Sequence, residues 1–429
     1  MVVNMLLKKS SSEKELVKKV FISGGFPEKT YVKREKLERA LEDVVNTNRI
    51  ISITGVTKTG KTVLTQSLFD EKAVIRVNAG ELNENDDFWH VLCSKCGDEV
   101  MTKCNLKATS INCNQHDISS GISLCAIGVK VSSNEEATTA IETHSGTSIK
   151  SVLSDFFSAH KEDRVVIIDD FHYLKEPTKK EIIRFFKAHV YKGLNLVLIS
   201  IPHRSHEAVT VEKEMQGRVC PVLVDCWSEK ELIQIAQIGF KMLGKEVEGE
   251  ILEKFAQESY GSPHLMQSFC LDLSLSLIDS DSYSGVTMLT PSVEQVENVL
   301  KRVANQVGKM FFTKIVKGLS GERKRKERFL NDGRQVDTYG LVAHTFTVLQ
   351  PDMASIKISD FVKTAQQQCS KEPPLSHEIT RVLQFIAREA VFDSASNPVI
   401  DLDLEHERCI YITDPFFAFY LKWGDCSIG

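Results

Sequence analysis

The stretch from Arg49 to Phe69 limits what this chain can fold into more than any other. It opens on "RIISIT", rich in β-branched residues, which reads as a buried strand. Gly55-Val56-Thr57-Lys58-Thr59-Gly60-Lys61-Thr62 follows, and then "VLTQSLF" with helical spacing. A strand, a G-x-x-x-x-G-K-T loop and a helix, in that order, call for an α/β sheet with the loop at a strand's carboxyl end. Gly55 and Gly60 let the backbone take conformations that a Cβ forbids and bring amides close to a phosphate. The first turn of the helix adds unpaired N–H groups and a positive dipole end. Lys61 can place a point charge between outer phosphates, and the Thr62 hydroxyl can ligate magnesium. The candidates for holding ATP are therefore Gly55, Thr57, Lys58, Thr59, Gly60, Lys61, Thr62 and Val63. Lys58, in the variable part of the loop, reads equally well as a solvated side chain.

Such a loop predicts a second, acidic strand. "RVVIIDDFHYL" (Arg164 to Leu174) supplies one, with Val165 to Ile168 apolar and Asp169 and Asp170 at the end. A fully apolar run ending in carboxylates fits a buried parallel strand whose tip faces a ligand. Asp169 is the candidate for holding magnesium and Asp170 for polarising an attacking water. "AVIRVNA" (Ala73 to Ala79), "LNLVLISI" (Leu194 to Ile201) and "CPVLVDC" (Cys220 to Cys226) complete five strands. With helices between them, they predict a doubly wound parallel sheet of the P-loop NTPase kind.

At 429 residues the chain is too long for one ordinary core. With 42% apolar and 26% charged residues it is not a disordered polymer, and a net charge of -5 excludes a wholly basic nucleic-acid coat. No run approaches the roughly 18 apolar residues needed to span a bilayer, and the opening apolar stretch is short for a signal peptide. Eleven cysteines then suggest reduced thiols in a cytoplasmic protein.

"TYVKREKLERAL" (Thr30 to Leu41) resembles the aromatic-Val-Gly-Arg-Glu box that opens AAA+ ATPases of the origin-recognition and signal-transduction (STAND) groups. Tyr31, Val32, Arg34 and Glu35 match, and Lys33 stands where Gly is usual. The resemblance implies that Tyr31, Val32 and Arg34 lie beside the adenine. Ser228 and Glu231 form an S-x-x-E capping box, and helical patterns cover 229–243 and 248–259. Gly261-Ser262-Pro263 then resembles the G-x-P element through which a helical lid touches the nucleotide, so Pro263 joins the binding set. His264 stands where many AAA+ proteins carry an arginine sensor. Related ATPases often have Glu in place of Asp170, and the shorter side chain implies slow or partner-stimulated hydrolysis. Arg204 and Arg218 resemble the family's strand-end arginine and arginine finger, which stabilise transition-state charge.

Between the second and third strands, "ISLCAIGVKVSS" and "ATTAIETHS" predict a β-hairpin insertion. Cys93, Cys96, Cys113 and His116 show C-x-x-C and C-x-x-H spacing, readable as a zinc site or as buried thiols. "LTPSVEQVENVLKRVANQV" predicts a helix with Pro291 in its first turn. The basic run Gly321 to Arg328 reads as a solvated helix face rather than a phosphate-binding patch. "SIKISDFVKTAQQQC" and "SHEITRVLQFIAREA" are helical patterns, and "PVIDLDLEHERCIYIT" alternates through two strands. Helix, helix, hairpin is the winged-helix order. Phe416, Phe417, Phe419 and Tyr420 are expected to be core residues.

The expected division is a helical segment over 1–29, an ATPase core over 30–227 with an insertion at 91–147, a helical lid over 228–285, connecting helices over 286–353 and a winged helix over 354–429. The resemblance implies an ATP–Mg²⁺ switch that acts on a protein partner or on self-assembly, as in STAND proteins, some of which serve in defence against viruses. The alternative is DNA contact through the winged helix, as in origin-recognition relatives.

Overall fold

Five apolar segments pair side by side, and the three central ones are buried on both faces. The computed structural model describes residues 2–45, 47, 50–82, 87–104, 149–161, 164–200, 218–280, 282–318, 325–353, 355–388, 399–404 and 407–427. The strands are β1 (Ile50–Gly55), β2 (Val74–Asn78), β3 (Val165–Asp169), β4 (Asn195–Ser200) and β5 (Val219–Val224). They form one parallel sheet in the order β2-β3-β4-β1-β5. The register sets Thr54 beside Ser200 and Asn78 beside Asp169, so the strand tips align along one edge. All six residues of β1 are buried, as a central strand covered on both faces requires.

The chain forms two compact units. One comprises Met1–Arg34, Gly55–Val63 and Val224–Gly429; the other comprises Glu35–Thr54 and Leu64–Leu223. The second unit holds the sheet and a core that includes Ile50, Val77, Phe88, Trp89, Phe157, Phe171, Ile182 and Phe186. Cys93 is paired sulfur to sulfur with Cys104 in this unit. Of the other residues in the zinc set, Cys113 and His116 lie outside the described residues. So do the predicted hairpin strands.

In the first unit the helix Val2–Val20 packs with the lid. Val17, Val20 and Phe21 are fully buried, and Phe21 fills a notch at Gly239, where an added Cβ would lie 2.2 Å from the ring. The lid helices are Glu229–Met242, Gly249–Glu258 and Pro263–Asp279. The first is held by a complete capping box between Ser228 and Glu231. Short strands β6 (Glu246–Val247) and β7 (Met288–Leu289) pair in parallel beside them. The next helix, Val293–Lys317, begins later than expected. Ser292 and Gln295 make the capping box, so Pro291 lies outside the helix rather than in its first turn.

The basic run also differs from expectation. Arg328 does not lie on a solvated helix but opens strand β8 (Arg328–Leu330), with 2% exposure. Its guanidinium donates to both carboxylate oxygens of Glu378, at 2.9 and 3.0 Å, and to the Glu372 carbonyl. Arg325 pairs with Asp337 at 2.6 Å. Glu378 and Asp337, distant in sequence, draw these side chains inward.

Strands β9 (Gln335–Val336), β10 (Ser355–Lys357), β11 (Cys369–Lys371), β12 (Ile400–Asp403) and β13 (Cys409–Ile412) complete two small antiparallel sheets, ordered β11-β8-β9 and β10-β13-β12. "SIK", expected to be helical, is β10, because Ile356 pairs with Ile410 before the helix Ile358–Gln367 starts. The helix Ser376–Arg388 and the β12–β13 hairpin follow, in winged-helix order. The last helix, Pro415–Trp423, buries Phe416, Phe417, Phe419 and Tyr420. Its far end is clamped to the lid. Glu258, with 3% of its side chain exposed, accepts from Lys422 at 2.8 Å, Trp423 Nε1 at 2.8 Å and Lys254 at 3.0 Å.

Candidate nucleotide site

The loop follows β1 directly and enters the helix Lys61–Leu68. Gly55 is required by close approach, since a Cβ there would lie 2.5 Å from the Val224 carbonyl oxygen. Gly60 is required by conformation, with φ at +87° in the left-handed region. Thr59 Oγ1 closes the turn onto the Val56 carbonyl at 2.8 Å. Lys61 Nζ donates to the carbonyls of Gly55 (2.7 Å) and Val56 (2.9 Å), which sets its ammonium inside the curve of the loop. Thr57 and Thr59 are buried, Val63 is half-buried, and Lys58 and Thr62 are exposed.

Three elements from elsewhere in the chain bond to this loop within the same unit. Trp227, just after β5, donates its indole N–H to the Thr59 carbonyl at 2.9 Å. Ser262, the N-cap residue of the helix that opens on Pro263, donates to the Lys58 carbonyl at 3.3 Å. Thr57 Oγ1 donates to the Thr413 carbonyl at 2.7 Å. The motif spacing pointed to the lid turn. It could not point to Trp227 or Thr413, whose signals are a lone aromatic and a backbone carbonyl.

The box near residue 31 works as a clamp on the lid. The Arg34 guanidinium donates to the Asp225 carbonyl (2.9 Å) and Glu231 (3.3 Å), and lies 5.3 Å from the Trp227 ring centre. Tyr31 stacks on Phe26 with ring centres 5.8 Å apart, and Val32 is buried. His264 is held neutral, its pKa pushed down to about 4 by burial and then by the charge of Lys58. Its ring centre lies 4.8 Å from that of Phe416.

The acidic strand tip belongs to the second unit. Asp169 Oδ2 pairs with Arg76 on the adjacent strand β2 at 3.2 Å, and Arg76 also donates to Thr65 Oγ1 at 2.7 Å. Burial lowers the Arg76 pKa, and the neighbouring Asp169 carboxylate opposes that shift. Sequence reading passed over Arg76, although a lone arginine inside an apolar strand is itself a signal. Asp170 takes a left-handed backbone, φ 54°, which turns the chain at the strand tip. Its Oδ2 packs over Gly80, 3.2 Å from where a Cβ would stand. Arg218 is exposed, and its carbonyl accepts from the Ile50 amide at 2.9 Å. Arg204 lies outside the described residues.

Thr62 and Asp169 carry the hard oxygen donors that magnesium takes, so these residue types suit that ion. Among the described residues no cluster of three or more His, Cys, Asp or Glu is arranged for a metal such as zinc. Among them, too, no helix is long and apolar enough to cross a membrane.

Residues 44–206 match the family model described as "AAA domain". No curated protein matches the chain. Among solved structures it is similar to the Walker-type ATPase PABY2304 of Pyrococcus abyssi, at 15% identity and a TM-score of 0.51, over 91% of this chain and 96% of that one. It is also similar to the Aeropyrum pernix ORC2 protein, at 12% identity and a TM-score of 0.47, over 94% and 96%. A third similar structure is the STAND protein PH0952 from Pyrococcus horikoshii, which has a tetratricopeptide repeat sensor. There the identity is 14% and the TM-score 0.35, over 91% of this chain and 42% of that one. At 15% identity the first likeness speaks for the fold alone. The strand–loop–helix motif, the sheet order and the matched family model together place an AAA-type P-loop domain at residues 44–206.

Proposed function

We propose that this ATPase binds ATP with magnesium at the loop Gly55–Val63, hydrolyses it slowly, and uses nucleotide state as a conformational or assembly switch. The observation that supports this is the bonding of one short loop to Trp227, Ser262 and Thr413. A ligand that shifts the loop must act on the lid and on the C-terminal helix at once.

In this reading Lys61 and the loop amides hold the outer phosphates, and Thr62 and Asp169 hold magnesium. When bound, that ion withdraws charge from the phosphate oxygens. Arg76 orients Asp169. Tyr31, Val32, Arg34 and Pro263 line the base side of the pocket. Asp170 orients the attacking water, and its short side chain makes turnover slow. Arg204 and Arg218 supply charge to the transition state. The output is a changed contact with a protein partner or a changed assembly state.

Calorimetric titration with Mg-ATP tests the reading. The native protein binds, and folded Lys61→Ala does not; equal affinity in a folded Lys61→Ala protein removes the assignment. Asp170→Asn binds normally and releases phosphate at least tenfold more slowly.

One feature favours DNA contact as a second reading. Lys357, Lys363 and Arg408 border a concavity of about 480 Å³ that Ser376 and Thr380 also line. Three cations beside hydroxyls suit backbone phosphates, with Glu407 opposing at the rim. Fluorescence anisotropy with duplex DNA tests it: affinity falling steeply with salt supports it, and no binding at low salt removes it.

A further inference from the structure

A charged side chain on an apolar strand has to find partners, and Arg76 finds two. It stands on β2 between Ile75 and Val77, both buried, and 24% of its side chain is exposed. One arm of the guanidinium donates to Asp169 Oδ2 at 3.2 Å, and the other donates to Thr65 Oγ1 at 2.7 Å. Thr65 is fully buried on the helix Lys61–Leu68. The register explains the reach to the carboxylate. Asn78, two residues after Arg76 and on the same face of β2, pairs with Asp169 on β3. The second carboxylate oxygen, Oδ1, accepts from the Asp170 amide at 3.1 Å. The carboxylate that the sequence marks for magnesium thus already has a cation on one oxygen and an amide on the other.

An arginine in this place acts in two opposite directions. It aims the carboxylate, which favours a bound ion, and it neutralises the carboxylate, which disfavours one. The second effect is the larger. The Asp170 amide already fixes one oxygen, so little aim is gained. A fixed positive charge, in contrast, repels a divalent ion more strongly than a monovalent one. We propose that Arg76 makes Asp169 hold magnesium weakly, so that nucleotide binds nearly as well without the metal as with it. Arg76 is then a positioning residue that acts through Asp169. The proposal rests on the reading of Asp169 as the magnesium carboxylate and adds the group that tunes its hold. Arginine suits the task better than lysine: its planar fork serves a carboxylate and a hydroxyl together, and its charge is not lost by deprotonation.

Manganese binding read by electron paramagnetic resonance, on the full chain with a non-hydrolysable ATP analogue, tests this without turnover. Arg76→Gln is expected to hold manganese about tenfold more tightly, the factor that one charge-assisted hydrogen bond represents. Arg76→Lys keeps the charge but cannot serve Asp169 and Thr65 together, and it should stay near native affinity. A folded Arg76→Gln protein that holds manganese no more tightly than the native one overturns the proposal. So does an Arg76→Lys protein that shifts as far as Arg76→Gln, because geometry rather than charge then decides. Calorimetry on the native protein gives a check that needs no variant. Affinity for the analogue is expected to differ by less than about tenfold between magnesium and EDTA, and a loss of about a hundredfold in EDTA refutes the weak hold. If the analogue binds in both buffers and the variants do not shift, the role of Arg76 falls while the nucleotide site stands. If it binds in neither, both fall together.

Discussion

Glu258→Gln tests whether the C-terminal helix is locked to the lid as its contacts indicate. The native carboxylate is 3% exposed and accepts from two ammonium groups and an indole N–H, all within 3.0 Å. Burial raises its pKa, but the hydrogen bonds from Lys422, Trp423 and Lys254 outweigh burial and hold it below the usual carboxylate range. A glutamine keeps an oxygen for the indole and loses the charge. Breaking a fully buried pair costs about 3–5 kcal/mol. Lys422 and Lys254 are 41% and 44% exposed and recover water when released, so the expected loss is nearer 2 kcal/mol. A folded pKa below the unfolded value gives stability that is full above about pH 4.5 and fades as pH falls through the folded pKa. Urea unfolding followed by the fluorescence of Trp423 and Trp227 at pH 7 and pH 4 measures both effects. The variant should lose about 2 kcal/mol at pH 7 and show a smaller gap from the native protein at pH 4. A gap below about 0.5 kcal/mol at pH 7 means the triple contact is a surface decoration and refutes the argument.

Gly55→Ala drives a methyl into the Val224 carbonyl oxygen at 2.5 Å and should destabilise the protein by about 1–3 kcal/mol, read from thermal or urea unfolding. His264 is neutral in the fold, so the unfolded chain takes up its proton first as pH drops. Stability should fall between about pH 6.5 and pH 4 by up to about 3 kcal/mol, and His264→Gln should flatten that part of the profile. Arg328→Met strands the Glu378 carboxylate at the start of the helix Ser376–Arg388; a loss of about 2–3 kcal/mol is expected, reduced because Glu378 is 35% exposed, and urea unfolding reads it.

What could be read in the sequence was what is local. The loop lies between a strand and a helix within twenty residues, and the capping box at Ser228 and Glu231 spans four, so spacing alone announces both. The sheet was legible because its strands are apolar runs, the three central ones buried on both faces. The start of the helix at Val293 was misjudged because a proline at a first turn and a serine cap one residue later look alike until the hydrogen bonds are seen. Arg328 was read as solvated because its partner Glu378 is fifty residues away. The Thr57–Thr413 and Arg76–Asp169 contacts are long-range in the same way, and no periodicity records which backbone carbonyl or neighbouring strand a side chain will meet.

The Phe21 ring seated in the Gly239 notch carries a practical consequence. The family match begins at residue 44, which invites trimming everything before it. Such a cut would strip three apolar plugs, Val17, Val20 and Phe21, from the lid's interior and leave a ring-sized hollow open to water. A shortened protein that precipitates would then be reporting a missing wall rather than an unstable engine.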